Sequence, residues 1–249
     1  MREIALASQV KNKAIIDYLH ANIQTKLDFC SPIITNYCDN NFCYLLFACD
    51  DGYIQPCETI LRDIIIDYIE QVFKVEYLKT KIKNPLREDL TFNAYIKVLS
   101  IFDKTTDENA LRKIILFNQT FFIDSFLEFR LNPLKQHWDN LVSLSSDNIT
   151  LFNSGTFLDV IRFLLNTMDS LAYKVKVICN KESFSVYNMK TKNARIKKIA
   201  DCKDSVDLIS NVLNLCPNYV DVYVNTNDSS DAVSFLSNVF ANRLKIFSK

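Results

Sequence analysis

The scarcity of glycine constrains this chain more than any motif in it. Gly52 and Gly155 are the only glycines among its 249 residues. Glycine adopts positive φ freely and lets the backbone approach a phosphate closely. Walker-type loops, G-x-G-x-x-G turns and nucleophile elbows each need several glycines within a few residues. We therefore expect no glycine-rich nucleotide site, no cofactor, and a protein that is not an enzyme.

Charge and hydropathy indicate a folded, cytoplasmic protein. Hydrophobic residues make up 49 % of the chain, enough for a sizeable core. Lys plus Arg equals Asp plus Glu at 29 each, so the broad positive field that attracts nucleic acid is missing, and we do not expect nucleic acid as a partner. No signal-peptide core follows Met1. Charged residues interrupt the longest hydrophobic region, 60–78, so we expect no membrane span.

The chain has eight cysteines, but their spacing does not match a metal site. Five of the eight lie between Cys30 and Cys57, and none of the eight forms a C-x-x-C pair. Structural zinc sites usually use such tight pairs, and a reducing cytosol disfavours disulfides. We expect no metal site and no disulfide, and we interpret the cysteines as small buried hydrophobic residues.

Hydrophobic periodicity divides the chain into regions of different character. Residues 3–7 alternate, residues 8–27 carry a helical stripe, and residues 42–49 form a continuous apolar run. These patterns predict a strand–helix–strand unit over 1–54. Helical spacing then dominates residues 55–170, which predicts a helical middle region.

The first helix of the middle region is amphipathic and about 24 residues long. Glu70 and Lys74 lie on its polar side, where they form an exposed i,i+4 pair. A second helix covers about residues 87–103, after a break at Asn84-Pro85.

Two further helices complete the middle region. Thr105 and Glu108 match a capping box, which predicts a third helix that continues through Phe129. Pro133 ends or kinks that helix. Ser154 is placed to cap a fourth.

After residue 171 the hydrophobic period changes from 3.6 to 2. A hairpin turns near Asn180, Asp204 opens a helix that Pro217 ends, and a strand, a short helix and a last strand follow. The predicted fold class is α+β (mixed α/β), in which the helical region precedes a small C-terminal sheet with packed helices over 171–249. The strands of the N-terminal unit could belong to the same sheet.

Four segments in the second half of the chain resemble the YtxC-like family of sporulation proteins. The first is the Phe-x-x-Phe-Arg-Leu segment within Asp124–Leu131, and the second is the helix Phe157–Leu164. The others are the Asp-Leu to Pro stretch of 207–217 and the closing segment Asn238–Leu244. The resemblance covers about residues 120–247.

This resemblance implies a cytoplasmic protein of spore-forming Firmicutes that acts through a protein partner. The family's cysteine after the closing arginine is absent here, where Lys245–Lys249 stand instead. The resemblance runs through Glu128, Phe129, Arg130 and Arg243, which we take as candidate interaction residues. It implies no reaction, so we assign no catalytic residue.

The remaining candidates for chemistry have simpler interpretations. His20 and His137 lie in separate predicted elements, so neither has a nearby nucleophile and carboxylate to form a triad. Asp124 and Glu128 share a helix face at i,i+4, and Arg130 could pair with either. Paired carboxylates can do acid–base work or hold Mg²⁺, but a solvated face with neighbouring cations is the favoured interpretation of Asp124 and Glu128. For Arg130 a structural salt bridge or a contact at the helix terminus is favoured.

One basic cluster supports an alternative function. Five cations fall within nine residues, namely Lys190, Lys192, Arg195, Lys197 and Lys198. Such a cluster could hold the phosphates of a nucleic acid or another polyanion. No aromatic residue interleaves it, so stacking on single-stranded bases is not suggested, and a solvated lysine-rich loop is the favoured interpretation.

Overall fold

The computed structural model describes residues 2–27, 32–82, 90–117, 120–146, 154–180, 183–224 and 231–248. The chain forms two units. The first unit contains residues 1–77 and 103–140, and the second contains residues 78–102 and 141–249. Each unit contains some residues of the predicted helical region 55–170. The division of the chain into domains at residues 54 and 170 stays a prediction.

Runs of helices separate the strands of the two halves of the chain, and the fold is α+β, as predicted. The strands are β1 (Arg2–Gln9), β2 (Ile33–Cys38), β3 (Phe42–Cys49), β4 (Phe121–Phe122), β5 (Ala172–Cys179), β6 (Phe184–Met189), β7 (Lys197–Cys202), β8 (Pro217–Val224) and β9 (Leu244–Ser248). The helices are α1 (Lys13–Lys26), α2 (Ile54–Tyr68), α3 (Lys74–Lys81), α4 (Leu90–Ile101), α5 (Lys104–Ile114), α6 (Ile123–Ser125), α7 (Asn132–Ser146), α8 (Ser154–Thr167), α9 (Ser205–Asn214) and α10 (Asp231–Phe240).

Two π-helical turns interrupt the helices of the first unit. Ile69–Phe73 joins α2 to α3, and Phe126–Arg130 follows α6. A π-helix bonds i to i+5 and therefore inserts one residue into a helical turn. The long first helix of the middle region is thus confirmed in extent, with a π-helical turn at its centre.

The first unit is built on a four-stranded sheet, sheet A, in the order β2-β3-β1-β4. β1 is antiparallel to β3 and parallel to β4, and β2 is antiparallel to β3. Helix α1 packs on β1 and β3, where Leu6, Leu45 and Phe47 are buried. The predicted strand–helix–strand order over 1–54 is present, with β2 as an additional edge strand that the sequence pattern did not indicate.

The second unit contains a five-stranded sheet, sheet B, in the order β7-β6-β5-β8-β9. β6 is antiparallel to β5 and β7, and β8 is parallel to β5 and β9. α9 packs against β6 and β7, and α10 packs against β8 and β9. Sheets A and B are separate, so the N-terminal strands do not join the C-terminal sheet. Sheet A instead takes its fourth strand, β4, from the middle of the chain, through the pairing of Phe121 and Phe122 with β1.

The predicted third helix is wrong as a single element. α5 ends at Ile114, where Ile115 is extended, and Phe121 and Phe122 form β4, which pairs with Leu6 and Ala7 of β1. This long-range pairing overrides the local helical pattern. Asp103 precedes α5 and its side chain forms no cap, so the capping box predicted at Thr105 is wrong as well.

One pair of cysteines contradicts the sequence-based expectation of free thiols. Cys38 and Cys43 form a disulfide across the β2–β3 hairpin, because the strand register places them directly opposite each other. The five free cysteines among the described residues are all buried, as predicted: Cys49, Cys57, Cys179, Cys202 and Cys216. Cys30 lies outside the described residues. Burial raises the pKa of the Cys202 thiol to about 11, which keeps it protonated.

The described parts of the chain contain no helix with the length and apolar character that a membrane span needs.

Asp204 gives a direct test of the C-terminal part of the fold. Its side chain accepts a 2.8 Å hydrogen bond from the backbone N–H of Asp207 and caps α9. Asp204→Ala should lower the free energy of unfolding by about 1 kcal/mol. Urea unfolding measures this. Asp17→Ala, an exposed change within α1, should stay within about 0.5 kcal/mol of wild type, and an equal loss in both variants would contradict the capping role.

Candidate functional site

A shallow depression on the first unit brings both π-helical turns to one place. It has a volume of about 270 Å³, and it is lined by Gln9, Lys11, Asn12, Phe73, Asp124, Leu127, Glu128 and Lys135. Phe73 ends the first π-helical turn, and Leu127 and Glu128 belong to the second. Single π-helical turns are rare and concentrate at functional sites, which directs attention to this region.

Asp124 connects the second π-helical turn to sheet A. One carboxylate oxygen, Oδ2, accepts a hydrogen bond from the backbone N–H of Gln9 at 2.7 Å. The other oxygen, Oδ1, accepts one from the side-chain amide of Asn12. Both oxygens are therefore occupied by donors from the end of β1 and the short turn after it. This geometry makes Asp124 a structural tie between distant parts of the chain.

The candidate interaction residues of the second π-helical turn point into solvent. Glu128, Phe129 and Arg130 are all exposed, and Phe129 is 65 % exposed. Phe126 and Leu127, on the same turn, are buried and anchor it. Arg130 forms no ion pair with Asp124 or Glu128, although the sequence allowed either. The turn thus presents an apolar ring between two opposite charges.

A buried network of charged side chains lies next to the first π-helical turn. The Lys74 side chain is fully buried, and its ammonium Nζ lies 2.6 Å from Asp107 Oδ2. The indole Nε1–H of Trp138 donates to the same oxygen at 2.8 Å. Lys74 Nζ also lies 5.5 Å from the centre of the Trp138 ring. The network joins α3, α5 and α7 through one carboxylate.

Glu70 is the second carboxylate of this network. Its Oε2 lies 3.5 Å from Lys74 Nζ, and its Oε1 has no hydrogen-bond partner among the described residues. Burial raises the pKa of Glu70 to about 7, against the attraction of Lys74. Near neutral pH Glu70 is therefore close to its protonation midpoint.

The sequence pattern misassigned this pair. Glu70 and Lys74 match an exposed i,i+4 pair, yet both are buried. Asp107 and Trp138, which cover them, lie more than thirty residues away in the chain. No local pattern contains that information. The only signal is the single tryptophan, whose indole N–H usually needs a partner when buried.

The outer face of sheet A carries a second surface feature, a row of aromatic side chains. The register places Phe122, Ala7, Tyr44 and Tyr37 side by side across β4, β1, β3 and β2. The Tyr37 and Tyr44 rings stack with centroids 5.0 Å apart, and Phe42 contacts Phe122 edge-on at 5.4 Å. We call Tyr37, Phe42, Tyr44 and Phe122 the aromatic face.

The aromatic face is open to solvent and has an acidic border. Tyr37 is 50 % exposed and Phe122 is 41 % exposed, and Ile33 beside them on β2 is 63 % exposed. Asp39 hydrogen-bonds to the Tyr44 hydroxyl, and backbone N–H groups of Phe42 and Asn41 hold the pKa of Asp39 below its usual value. Glu3 lies on the same face by register, opposite Ala48.

The other predicted site residues lie in the second unit. Lys190, Lys192, Arg195, Lys197 and Lys198 are all exposed, between the end of β6 and the start of β7. Lys197 and Lys198 are the first two residues of β7, and the other three cations precede this strand. Arg243 follows α10, and its guanidinium lies 5.3 Å from the centre of the Phe240 ring. The structure does not bring Arg243 and Arg130 into one unit.

The two histidines belong to different helices of the first unit, and neither lines the depression. His20 lies in α1. His137 lies in α7, with its Nε2 3.3 Å from Asp103 Oδ2. Within the described ranges, no group of three or more His, Cys, Asp or Glu side chains is placed to hold a metal ion.

The sequence of the chain matches the model of a known protein family. The model of the YtxC-like family matches residues 55–245, which is more than half of the chain. The chain belongs to the YtxC-like family. No curated protein and no solved structure matches the chain. The matched range contains both π-helical turns, the buried network and sheet B up to the first residues of β9, whereas β1, β2 and β3 precede it.

The buried ion pair predicts an asymmetric response to lysine removal. Lys74→Met leaves the Asp107 carboxylate without its cation in a buried site, and should lower the free energy of unfolding by about 3–5 kcal/mol. Lys26 pairs with Asp67 at 2.9 Å, but both side chains are about 40 % exposed. Lys26→Met should cost under about 1 kcal/mol. Urea unfolding of both variants measures the difference, and similar losses would contradict the buried role.

Glu70 predicts a specific dependence of stability on pH. Its folded-state pKa of about 7 lies above the ordinary value of 4.5, so its stabilising contribution is complete below pH 4.5 and is lost as the pH rises through 7. Glu70→Gln removes this titration. Between pH 5 and pH 8 the variant should therefore gain about 2–3 kcal/mol relative to wild type.

Urea unfolding at the two pH values measures the gain. Glu128→Gln is the control, because Glu128 is exposed in the same unit, and its difference from wild type should be equal at both pH values. A Glu70→Gln difference that is also independent of pH would contradict the raised pKa.

Proposed function

We propose that this YtxC-like protein acts in sporulation as a non-enzymatic protein that binds a protein partner through the aromatic face of sheet A. Two lines support the role in sporulation: membership of the family and the resemblance of four segments to its sporulation proteins. The single observation that carries the binding proposal is the group of solvent-accessible aromatic rings on β2, β3 and β4 that contact one another.

The exposed rings of the aromatic face keep apolar area in contact with water, and a bound partner would bury that area. Aromatic side chains bury a large area and pack with defined ring geometry, which makes them frequent anchors of protein interfaces. On β1, the small side chain of Ala7 lies between Phe122 and Tyr44 and adds no bulk between the rings. An exposed apolar cluster of this kind marks a site of association.

The charges around the face indicate the chemistry of the partner. Glu3 and Asp39 border the aromatic face with negative charge. Complementary potentials steer encounter and set register at protein interfaces. We therefore propose a partner surface with an apolar centre and a basic border. The same acidic border disfavours anionic lipid and nucleic acid at this face, since both carry negative charge.

The geometry of the depression supports a non-enzymatic role. A general base must be free to accept a proton from a substrate. Both oxygens of Asp124 already accept hydrogen bonds from the protein, and neither histidine lines the depression. Glu128, the other carboxylate of the lining, is exposed to solvent. Asp124 therefore acts in our proposal as a tie that positions the second π-helical turn.

Removal of the two most exposed rings tests the proposal. Tyr37→Ser combined with Phe122→Ser should reduce retention of the partner by at least about tenfold, because interface aromatic residues contribute most of the binding energy. Retention is measured by affinity capture from sporulating cells of the host with quantitative mass spectrometry. The same variant, expressed in a deletion strain, should fail to restore spore yield.

Control variants distinguish the aromatic face from other exposed apolar side chains of the first unit. Leu116→Ser removes an exposed apolar side chain elsewhere in the first unit and should change neither readout. Phe129→Ser tests the second π-helical turn. Full spore yield from the deletion strain would refute the role in sporulation. A captured protein lost with Phe129→Ser but kept with Tyr37→Ser/Phe122→Ser would refute the aromatic face as the binding site.

A further inference from the structure

Sheet B has one face covered by helices and one face that combines lysines with aromatic rings. Val175, Val177, Val220 and Val222 are fully buried on the first face, against α9 and α10. Side chains alternate along a strand, so the intervening residues lie on the opposite face. Local sequence patterns do not reveal which residues share that opposite face, because they come from five strands spread over about seventy residues.

The register aligns the outer side chains in rows across the sheet. In one row, Lys198, Tyr187, Lys176, Asp221 and Lys245 lie side by side on the five strands, in the spatial order β7 to β9. Lysines therefore occupy the two edges and the centre of this row.

The neighbouring rows add the aromatic rings. Tyr223 and Phe247 stack with centroids 4.9 Å apart and nearly parallel planes, and Lys176 Nζ lies 4.3 Å from the centre of the Tyr223 ring. Tyr219, on the other side of the first row, is 45 % exposed, and Phe247 is 39 % exposed. Rings are thus accessible on both sides of the central lysine row.

Ion pairs fix part of this face and leave a positive excess. Lys174 pairs with Asp221 at 2.8 Å, and Lys198 pairs with Asp201 at 2.7 Å. Lys176 and Lys245 have no carboxylate partner among the described residues. Both therefore remain available to an anionic ligand that lies across the rings.

The basic cluster found in the sequence extends this positive surface. The backbone N–H of Tyr173 donates to the carbonyl of Lys190 at 3.2 Å, which places the start of the 190–196 loop beside the first residues of β5. The Tyr173 ring in turn contacts the Tyr219 ring, with centroids 5.5 Å apart. The cluster therefore adjoins the Tyr219 end of the outer face. The three-dimensional fold supplies the aromatic neighbours that the linear sequence lacks.

We propose that the outer face of sheet B, together with the 190–198 basic cluster, binds single-stranded nucleic acid. Rings on an open sheet surface offer stacking platforms for unpaired bases, and surrounding cations hold the phosphates. A duplex hides its bases from such a surface. An acidic protein surface offers carboxylates to the lysines, but not the regular succession of a stackable base and a phosphate that rings beside lysines accommodate. This site lies in the second unit, and all of its named residues except Phe247 fall within the family-matched range. It is independent of the proposed protein partner.

Binding is tested on the full chain with fluorescently labelled oligothymidine and oligouridine of about 20 nucleotides, by fluorescence anisotropy. At about 50 mM salt the wild type should bind with a Kd of about 1–100 μM, typical of sequence-independent binding. Tyr219→Ser and Phe247→Ser should each weaken binding by roughly 5- to 100-fold, the effect of losing one stacked base. Circular dichroism confirms that the variants remain folded.

Charge reversal separates phosphate contacts from stacking. Lys176→Glu combined with Lys245→Glu should lower the slope of log affinity against log salt by roughly 1–1.5. Lys13→Glu combined with Lys113→Glu makes the same change of net charge on exposed helix residues of the first unit, and should leave binding nearly unchanged.

Three results would overturn the proposal. The first is no binding by the wild type at low salt, and the second is equal binding of a blunt DNA duplex. The third is binding that survives Tyr219→Ser and Phe247→Ser but is lost on charge reversal, which would indicate a general polyanion surface. Loss of nucleic-acid binding with an intact partner interaction would leave the aromatic face of sheet A unaffected.

Discussion

The ammonium group of Lys74 is enclosed by Asp107, Glu70 and the Trp138 ring, and the helical part of the first unit depends on that enclosure. A buried ammonium is tolerated only when its charge is paired and hydrogen-bonded, because desolvation costs several kcal/mol per ion. Asp107 meets this requirement and also accepts the Trp138 indole N–H. Three helices are thereby held to one carboxylate, and the first π-helical turn lies directly before the lysine.

The location of the π-helical turns follows from these anchors. Each turn adds a residue to its helix and so rotates the side chains that follow it. After Ile69–Phe73 the rotated position is Lys74, which enters the core. The second turn, Phe126–Arg130, follows the hydrogen bonds of Asp124 to β1 and exposes Phe129. In both places a local irregularity of the helix allows a long-range contact to form.

The sequence predicted well those elements whose signals are local. Asp204 caps α9 and β8 begins at Pro217, as their residue types indicate. It failed where distant segments decide the outcome. β4 replaces a helix because Phe121 pairs with Leu6, and Glu70 is buried because of Trp138. Of the candidate site, sequence reasoning found Asp124 and Glu128 of the depression, but not the aromatic rows, since cross-strand neighbours depend on register.

The disulfide between Cys38 and Cys43 bears on that register. A slip of one residue between β2 and β3 would turn every side chain of β2 to the opposite side of sheet A. Tyr37 would then leave Tyr44 and point to the side of the sheet opposite the aromatic face. A covalent link one position from Tyr37 excludes that slip. The hairpin therefore keeps its tyrosine outward even as an edge strand with a free side, where pairing errors most easily arise.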